Sequence, residues 1–516
     1  MNTSDNNLAL HLQHVTKTFG SVVANDDVDM DLRYGEVLAI LGENGSGKTT
    51  LMNMISGIYR QDAGEIFIKG EHVTINSPKD AFALGIGMVH QHFKLIDVFN
   101  ATENIVLGIE NGKFNIKEAA GKVAEISERY GFVLDTYKKI YEMSVSEKQT
   151  VEIIKVLYRG ADILILDEPT AVLTPQETEK LFNVIRRMRD DGKSIMIITH
   201  KLHEVMEISD RVAVLRKGRH IATVNTAETT EDALTEMMVG KRVSLNIERT
   251  AVEDAKDRLS VKGLCYSTHE GVKVLSDICF TARAGEILGI AGVAGSGQRE
   301  LLEIIAGLQT PTEGEITYID PESGSPIDLR SKTPLQIRDL GVRLSFVPED
   351  RLGMGLVGNM DIIDNMMLRS YRKGRTVFVD RQPPKELADN IIKSLEVVTP
   401  SAKTQVRKLS GGNVQKVLVG REIASSPTVL MAAYPVRGLD INSSYMIYNL
   451  LNAQKNNGVA VIFVGEDLDV LLELCDRILV ICAGRVSGIL DGRTAKKEEI
   501  GLLMTKAKEA HGDGEE

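Results

Sequence analysis

The stretch that decides the fold reads Gly42-Glu43-Asn44-Gly45-Ser46-Gly47-Lys48-Thr49-Thr50. It fits the pattern G-x-x-x-x-G-K-[ST] of a phosphate-binding loop, follows the apolar run Val37–Leu41 and opens the apolar segment of residues 50–58. The pattern requires the order strand, loop, helix, because the loop N–H groups and the helix dipole then face the same anion. We therefore expect these residues to hold the phosphates of a nucleotide, although an ordinary glycine-rich turn would explain the loop alone.

Two carboxylates end a second apolar run, residues 163–166. Asp167 and Glu168 follow it directly, so the predicted strand places Asp167 near a metal ion and leaves Glu168 to polarise a water. In the loop, Lys48 is expected to reach the β- and γ-phosphates and Thr49 to offer its hydroxyl to Mg²⁺. An acidic pair at a strand end is common in solvated loops. Together with the phosphate-binding loop, however, it predicts the Walker B element of a nucleoside triphosphatase that uses ATP and Mg²⁺.

Gln91 and His200 are two further candidates for the catalytic site. Gln91 lies in the segment Val-His-Gln-His-Phe at residues 89–93, and His200 follows the strand predicted at residues 195–199. A single histidine is usually structural. His200, however, follows Glu168 in the order expected of a histidine that responds to the γ-phosphate.

The sequence Leu-Ser-Gly-Gly-Asn at residues 409–413 precedes a predicted helix over residues 414–424. Ser410, Gly411 and Gly412 would present backbone N–H groups at the N-terminus of that helix, which is a second place for an anion. An N-cap at Ser410 with a flexible turn would explain this stretch alone. It would not explain why the stretch occurs together with the other motifs.

The chain contains an internal repeat. Near the N-terminus the matching residues are 250 positions apart, as in Gly35 and Gly285, and farther along they are 266 positions apart, as in Ser144 and Ser410. The difference is mostly a loop insertion in the second copy that includes the turn-rich residues 320–328. A period of this length indicates a duplicated domain rather than a solenoid.

The repeat defines the predicted domains. The first copy covers residues 8–240, a polar linker covers 241–258, and the second copy covers 259–505. The remaining tail, residues 506–516, has too few apolar residues to pack and is expected to be disordered. Within each copy, short apolar runs alternate with amphipathic segments such as residues 177–189. This alternation predicts an α/β fold with a mainly parallel core sheet.

Composition excludes several classes of protein. With 43% hydrophobic and 26% charged residues the chain is typical of globular proteins, and its net charge of −11 argues against a broad nucleic-acid surface. Residues 1–12 lack the features of a signal peptide, and no apolar run approaches the ~18 residues that span a bilayer. The four cysteines match no zinc or redox spacing, so free thiols of a cytoplasmic protein are expected. Such a protein would act at a membrane only through a partner.

Taken together, these motifs make the whole chain resemble a tandem ATP-binding-cassette (ABC) ATPase of the bacterial sugar and nucleoside importer type. The resemblance implies two ABC-type P-loop domains, each with a mainly parallel core sheet, an antiparallel β portion and a helical subdomain. It implies two integral-membrane permease subunits and, indirectly, a solute-binding protein as partners, at the cytoplasmic face of the plasma membrane. In this family two cassettes pair head to tail, and their closure on ATP drives the permeases.

The resemblance also implies roles for single residues. By position, Phe19 matches the aromatic residue that stacks on adenine, and Gln91 matches the residue that senses Mg²⁺ and the permease. Glu168 matches the catalytic base, and His200 matches the switch that responds to the γ-phosphate. The implied metal ligands are Thr49, Gln91 and Asp167. The implied signature contacts to ATP are Ser410, Gly411 and Gly412.

When the repeat serves as an internal alignment, the second copy lacks most catalytic groups. Lys48 becomes Gln298, Thr49 becomes Arg299, Asp167 becomes Ala433, Glu168 becomes Tyr434, Gln91 becomes Glu349 and His200 becomes Glu466. The lost lysine and carboxylate are the groups that would hold the triphosphate and its Mg²⁺. We therefore expect no hydrolysis in the second copy, while binding of a nucleotide there stays open.

The signature sequences are damaged in the opposite copy. The first copy reads Ser-Val-Ser at residues 144–146, whereas the second copy keeps Ser-Gly-Gly at residues 410–412. Head-to-tail pairing within one chain would join the intact Walker motifs to the intact signature. We therefore expect one complete catalytic site per chain.

The residues leave two function classes to compare. Residues 88–93 and 170–177 resemble the nucleoside-importer branch more than the ribose or galactose branch. The alternative is a soluble tandem cassette protein that acts on the ribosome or on nucleic acid. Such proteins usually keep both sites active and carry a long charged linker, whereas this linker is short and one site is degenerate. An ATPase that energises solute import is therefore expected, with a solute that the permeases and binding protein would select.

Overall fold

The structure is a computed structural model of the 516-residue chain. It describes residues 7–20, 22–90, 93–109, 115–171, 173–199, 201–240, 247, 249–250, 255–268, 270–293, 295–346, 355–368, 370–371, 379–424, 427–437, 439, 441–465 and 467–505. The chain divides into two compact units, residues 1–244 and 245–516.

The first unit contains two sheets and a set of helices. Its strands are β1 Leu8–Phe19, β2 Val22–Arg33, β3 Val37–Leu41, β4 Ala63–Ile68, β5 Glu71–Val73, β6 Ile86–Val89, β7 Ile163–Asp167, β8 Ser194–Ile198, β9 Arg211–Arg216 and β10 Arg219–Asn225. Its α-helices are α1 Lys48–Ile55, α2 Pro78–Ala83, α3 Ala101–Val106, α4 Ile116–Tyr130, α5 Val145–Tyr158, α6 Pro175–Asp190, α7 Leu202–Ile208 and α8 Glu231–Val239. Short 3₁₀ turns lie at Ile140–Glu142 and Thr226–Glu228.

A six-stranded sheet in the order β10-β9-β3-β8-β7-β6 forms the centre of the first unit. All neighbouring strands are parallel except β10, which pairs antiparallel with β9. Every residue of β3, β7 and β8 is buried, because helices and a second sheet cover both faces of these central strands. The apolar runs in the sequence therefore correspond to the strands that carry the nucleotide motifs on their carboxyl ends.

The second sheet of the first unit is antiparallel, in the order β2-β1-β4-β5. One apolar core joins this sheet, α1 and one face of the parallel sheet, and includes Leu12, Leu51 and Ile165. A separate small core holds α3, α4 and α5 together around Ile105, Val123 and Ile154. The unit thus has a parallel core sheet, an antiparallel β portion and a helical subdomain, as the resemblance implied.

Helix α1 is shorter at its C-terminus than the sequence predicted. The apolar segment suggested a helix over residues 50–58, but α1 runs from Lys48 to Ile55. Gly57 adopts φ 76°, and a Cβ there would lie 2.3 Å from the carbonyl oxygen of Ser77. A left-handed glycine after the last turn ends a helix, so the prediction was wrong at this end.

The second unit repeats the order of elements. Its strands are β11 Asp257–Ser267, β12 Lys273–Arg283, β13 Ile287–Ala291, β14 Glu313–Ile319, β15 Pro326–Asp328, β16 Val342–Phe346, β17 Val429–Ala433, β18 Ala460–Val464, β19 Arg477–Cys482 and β20 Arg485–Asp491. Its α-helices are α9 Gln298–Ile305, α10 Pro334–Asp339, α11 Ile362–Met367, α12 Gln382–Ser394, α13 Gly411–Ile423, α14 Ile441–Asn456, α15 Leu468–Leu474 and α16 Lys497–Thr505. A 3₁₀ turn lies at Val406–Lys408.

The sheets of the second unit match those of the first. Their orders are β16-β17-β18-β13-β19-β20, parallel except for β20, and β12-β11-β14-β15, which is antiparallel. The inserted residues 320–328 contain a tight turn followed by β15; in the turn Asp320 Oδ1 accepts hydrogen bonds from the N–H groups of Glu322 and Ser323, both at 2.8 Å. The predicted fold class, two tandem α/β domains with mainly parallel core sheets, is confirmed.

The described part of the predicted linker contacts the second unit. The N–H of Ile247 donates to Glu473 Oε1 at 3.1 Å, and Lys455 Nζ donates to the carbonyl oxygen of Thr250 at 2.8 Å. The other described residues before β11 include Arg249, which donates to carbonyl oxygens of α15 and of the turn after it. The tail at residues 506–516 lies outside the described residues.

Across the described part of the chain, no helix has both the length and the apolar character needed to cross a membrane.

Candidate functional site

The phosphate-binding loop connects β3 to α1 as the sequence predicted. Gly45 and Gly47 adopt φ angles of 82° and 97°, and Gly47 is the N-cap of α1 without any side-chain cap. A Cβ on Gly47 would lie 2.4 Å from the carbonyl oxygen of Ala24. Glycine is therefore required here by both conformation and space, and the first N–H groups of α1 are not capped by a side chain.

Lys48 is buried inside the loop. Its Nζ donates hydrogen bonds to the carbonyl oxygens of Gly42, at 2.6 Å, and Glu43, at 3.0 Å. Burial lowers the pKa of Lys48, and the negative charges of Glu168, Asp167 and Glu43 oppose that shift. The charge of Lys48 is thus held in the curve of the loop, where an anion would meet it.

The two carboxylates of the Walker B element end β7. Asp167 is 7% exposed, and burial, followed by the charge of Glu168, raises its pKa to about 6, whereas Lys48 lowers it. Glu168 is half-buried, adopts φ 47° and donates its N–H to the carbonyl oxygen of Ile198 at 2.9 Å. The structure therefore brings Lys48, Asp167 and Glu168 together, because β3 and β7 both flank β8 in the same parallel sheet.

The other predicted residues of the loop differ in their exposure. Asn44, Gly45 and Thr49 are exposed, whereas Ser46 is buried and Thr50 half-buried. Thr49 belongs to the first turn of α1, next to Lys48. Its hydroxyl therefore lies at the same helix N-terminus as the uncapped N–H groups.

Phe19 lies at the end of β1 beside a second aromatic ring. It is 44% exposed, and its ring centroid is 5.3 Å from that of Tyr59 in an edge-on arrangement. Lys17 Nζ lies 5.5 Å from the centroid of the Phe19 ring and 2.8 Å from Asp62 Oδ1. Asp62 accepts hydrogen bonds from Lys17 and Thr18, and these bonds lower the pKa of Asp62 to about 2. Phe19 is therefore partly exposed at the end of β1, with Lys17 over its ring and Tyr59 beside it.

Gln91 and His200 lie outside the described residues. The two neighbours of His200 belong to one hydrogen-bond network with a residue that the sequence analysis missed. Glu204 is 3% exposed and accepts from the hydroxyls of Thr170, at 2.6 Å, and Thr199, at 3.1 Å, and it pairs with Lys201 at 3.1 Å. This network ties the strand end before His200 to the loop after Glu168.

The repeat carried the signal that could have found Glu204. In the second copy Thr170 is replaced by Val436, Thr199 by Gly465 and Glu204 by Val470. All three polar groups are lost together with the Walker carboxylates, so the common fold does not require this network.

The two signature helices begin differently. In the first unit Ser144 Oγ accepts from the N–H of Glu147 at 3.2 Å, and Glu147 accepts from the N–H of Ser144 at 2.7 Å, which is a capping box. In the second unit Ser410 caps no helix N–H, and its Oγ accepts from Asn413 Nδ2 at 2.8 Å instead. Both serines are exposed, so the two N-termini differ in the side-chain cap that α5 has and α13 lacks.

The second unit keeps the backbone of the Walker motifs without their charges. Gln298 is buried, and its Nε2 donates to the carbonyl oxygen of Val293 at 3.2 Å, which replaces the bond from Lys48 to Glu43. Arg299 pairs with Glu303 on its own helix at 2.7 Å. Ala433 ends β17 without a carboxylate. These replacements leave this loop without the buried positive charge of the first unit.

Comparisons with known proteins agree with this geometry. A family model described as "ABC transporter" matches residues 25–171 and 275–435. The chain is 42% identical to "Guanosine import ATP-binding protein NupO" of Bacillus subtilis over 96% of its length and 97% of that protein. It is 40% identical to "Nucleoside import ATP-binding protein NupA" of Lactococcus lactis, over 97% and 98% of the two chains. "Ribose import ATP-binding protein RbsA 1" of Rubrobacter xylanophilus is 38% identical, over 97% and 99%.

One solved structure is similar over nearly the whole chain. The archaeal ribosome recycling factor aABCE1, solved in complex with ribosomal stalk protein aP1, has a TM-score of 0.60 and 16% identity, with 95% of this chain and 91% of that chain covered. At that identity the likeness is one of fold alone.

Proposed function

The chain belongs to the ABC transporter family, and on that premise we propose how its residues divide the work of an import ATPase. The chain is an ATP-binding, ATP-hydrolysing subunit that energises the import of a small solute. The observation that carries the detailed proposal is the meeting of Lys48, Asp167 and Glu168 in the first unit. A buried cation beside two carboxylates is the charge arrangement that Mg²⁺ and a triphosphate require.

In this proposal the loop and Lys48 bind the phosphates of ATP. Thr49, Asp167 and Gln91 would hold Mg²⁺, because hard oxygen donors of this kind suit that ion. When bound, Mg²⁺ neutralises charge on the phosphates. The burial that raises the pKa of Asp167 supports the assignment, because a bound cation would stabilise its carboxylate.

The remaining roles follow the family pattern. Glu168 acts as the general base toward the attacking water, and His200 contacts the γ-phosphate. Phe19 stacks on the adenine; its partial exposure and the aromatic ring of Tyr59, 5.3 Å away between centroids, support this role. In the second unit Gln298 carries no charge, so we assign no hydrolysis to that copy.

We propose that the two cassettes pair within one chain. The support is the complementary pattern of damage: the first copy has the intact Walker motifs, and the second has Ser410, Gly411 and Gly412 at an uncapped helix N-terminus. In this arrangement Ser410 and the N–H groups of the glycines complete the ATP site that begins at Lys48.

The proposed partners are two integral-membrane permease subunits and, through them, a solute-binding protein. The subunit would act peripherally at the cytoplasmic face of the plasma membrane. A nucleoside is the favoured solute. The relatives at 42% and 40% identity are named for guanosine and nucleoside import, whereas the relative named for ribose import is 38% identical.

Paired substitutions at matched positions test the assignment of the working site. Lys48→Ala should abolish ATP turnover, because the buried charge that faces the phosphates is removed. Gln298→Ala should leave most of the turnover, since the neutral amide of Gln298 donates to the carbonyl oxygen of Val293 and offers no charge to a phosphate. The measurement is ATP turnover at saturating Mg²⁺–ATP in the reconstituted complex. Comparable losses in both variants, with melting temperatures unchanged, would show that the second copy is catalytic.

A further inference from the structure

Asn25, on β2, is a buried polar residue that neither the nucleotide motifs nor the proposed roles include. It is 0% exposed, and its Nδ2 donates to the carbonyl oxygen of Gly47 at 3.3 Å. Among the described residues its Oδ1 has no hydrogen-bond partner. A buried amide oxygen without a partner destabilises the folded state, so Asn25 is a poor choice for packing alone.

The backbone around Asn25 is the same in both units. In the first, the N–H of Asp26 donates to Gly218 O at 2.8 Å, and the N–H of Gly218 donates to Ser46 O at 3.1 Å. The second unit repeats both bonds, at 2.8 and 3.2 Å, between the matched residues Ser276, Gly484 and Ser296. In each unit these bonds connect the strand, β2 or β12, to the glycine turn and the glycine turn to the phosphate-binding loop. None of them involves the side chain of Asn25 or of the residue that matches it.

The side chain is what differs between the two units. The residue that matches Asn25 in the second unit is Leu275, which is also 0% exposed. Leu275 Cδ2 lies 2.4 Å from the position of a Cβ on Gly297, the residue that matches Gly47. An apolar side chain of this size therefore fits against the same glycine, and the fold accepts it.

The contrast separates the needs of the fold from those of the site. The unit that keeps Lys48, Asp167 and Glu168 has the asparagine, and the unit that has lost all three has the leucine. A buried polar residue that lacks a hydrogen-bond partner and gives the fold no benefit is expected at a functional site.

We propose that Asn25 is a positioning residue of the ATP site, which fixes the last peptide plane of the phosphate-binding loop. The inference rests on the proposed function of the first unit. Because a peptide group is planar, the carbonyl of Gly47 and the N–H of Lys48 point in opposite directions in one rigid plane. Asn25 holds the carbonyl from behind, so it sets the direction in which the N–H of Lys48 faces a phosphate.

This role is distinct from helix capping. The Gly47 carbonyl already accepts the first bond of α1 from the N–H of Leu51 at 2.9 Å. The second bond, from Asn25, adds little to the helix. It restricts rotation of the peptide group that follows Gly47, whose φ of 97° lies where glycine has unusual freedom. Its loss should weaken phosphate binding more than folding.

The test measures binding of mant-ATP with Mg²⁺ to the full-length chain, together with the melting temperature of the nucleotide-free chain. Asn25→Leu should weaken binding about threefold to tenfold, the range that one hydrogen bond supplies, and leave the melting temperature equal or higher. The matched control is Leu275→Asn, which should lower the melting temperature and leave the affinity of the Lys48 site unchanged. Lys48→Ala reports whether binding occurs at that site.

The outcomes separate the inference from its premise. If the wild-type chain binds mant-ATP and Lys48→Ala abolishes binding, the premise holds. In that case, affinity of Asn25→Leu within twofold of wild type would overturn the inference, as would weaker binding that is accompanied by a lower melting temperature. A mant-ATP affinity and stoichiometry that Lys48→Ala leaves unchanged would instead overturn the proposed function, and the inference with it.

Discussion

At the scale of single residues, the two units show which features belong to the fold and which to the chemistry. Glu168 and Tyr434 occupy matched positions with φ angles of 47° and 52°. Each donates its N–H to the end of the neighbouring strand at 2.9 Å, to Ile198 O and Val464 O respectively. The left-handed turn is therefore retained when the carboxylate is lost, so the turn belongs to the fold and does not depend on the carboxylate.

Replacing Glu168 by glutamine should therefore leave the fold intact and slow the reaction. Because a positioned general base contributes about 10²–10⁴ to the rate, Glu168→Gln should bind ATP and hydrolyse it at least ~100-fold more slowly. The measurement is ATP turnover of the reconstituted complex beside equilibrium binding of ATP. Turnover within tenfold of the unmutated protein would refute the role of Glu168.

Glu204 offers a second test at this scale. Glu204→Val introduces the residue found in the second copy, and the hydroxyls of Thr170 and Thr199 lose their acceptor. We expect a loss of about 1–3 kcal/mol in unfolding free energy and a lower ATP turnover. Denaturant unfolding and turnover are measured together. The control is Glu207→Val on the same helix, where an exposed pair with Arg186 is removed and little change is expected; equal effects of the two variants would contradict the role.

At the scale of elements, α5 and α13 are anchored in the same way but differ at their N-termini. Each is anchored by a glutamine: Gln149 Nε2 donates to Pro169 O at 2.5 Å, and Gln415 Nε2 donates to Pro435 O at 2.6 Å. Both bonds tie the helix to the loop that follows the Walker B strand of its own unit. The common anchor preserves the position of the helix, while the capping box at Ser144 closes one N-terminus and its absence at Ser410 leaves the other open.

Matched acidic substitutions in the first turns of these helices test that difference. Gly412→Asp should fit its own unit, because the nearest atom to a Cβ there is Leu439 Cδ2 at 3.7 Å and an acidic residue suits a helix N-terminus. Its charge should repel the γ-phosphate and lower ATP turnover at least ~100-fold, since one oxyanion donor is worth about 10²–10³. Ser146→Asp, at the matched position, should have little effect. Equal losses of turnover would contradict the assignment of the working signature.

At the scale of the whole molecule, the duplication has left the intact Walker motifs in one copy of the fold and the intact signature sequence in the other. The first unit keeps the charged groups and the second keeps the glycine-rich signature, while each keeps its own sheets and cores. Selection on one site per chain would leave this pattern, because the two damaged elements would then fall in the other site. The proposal of pairing within one chain makes this division functional.

Mixing two inactive chains tests that proposal. A Lys48→Ala chain and a Gly412→Asp chain each lack one half of the proposed site. If each chain forms its own site, a mixture reconstituted with the permeases should show no more ATP turnover than the separate variants. If sites are shared between chains, some pairs would combine an intact loop with an intact signature. Substantial recovery of turnover in the mixture would therefore disprove pairing within one chain.

The sequence by itself determined the fold class, the duplication and the charged groups of the site. These follow from local patterns: the run Val37–Leu41 is a strand at the predicted bounds because a central parallel strand is apolar throughout, and the loop before Lys48 has a fixed glycine spacing. The asymmetry between Lys48 and Gln298 could likewise be read from the repeat, since aligned positions of one fold share a backbone.

Only the tertiary structure decided what supports the site. Asn25 looks like an ordinary residue of an antiparallel strand, and its bond to Gly47 exists because β2 packs against the loop across 22 positions of sequence. Glu204 looks like an acidic residue in a helical first turn, yet it is buried against Thr170, 34 positions away. Burial and partners of this kind depend on how separate elements pack. Hydrophobic periodicity and motif spacing report only local geometry, so they could not show that either residue is buried or which group it contacts.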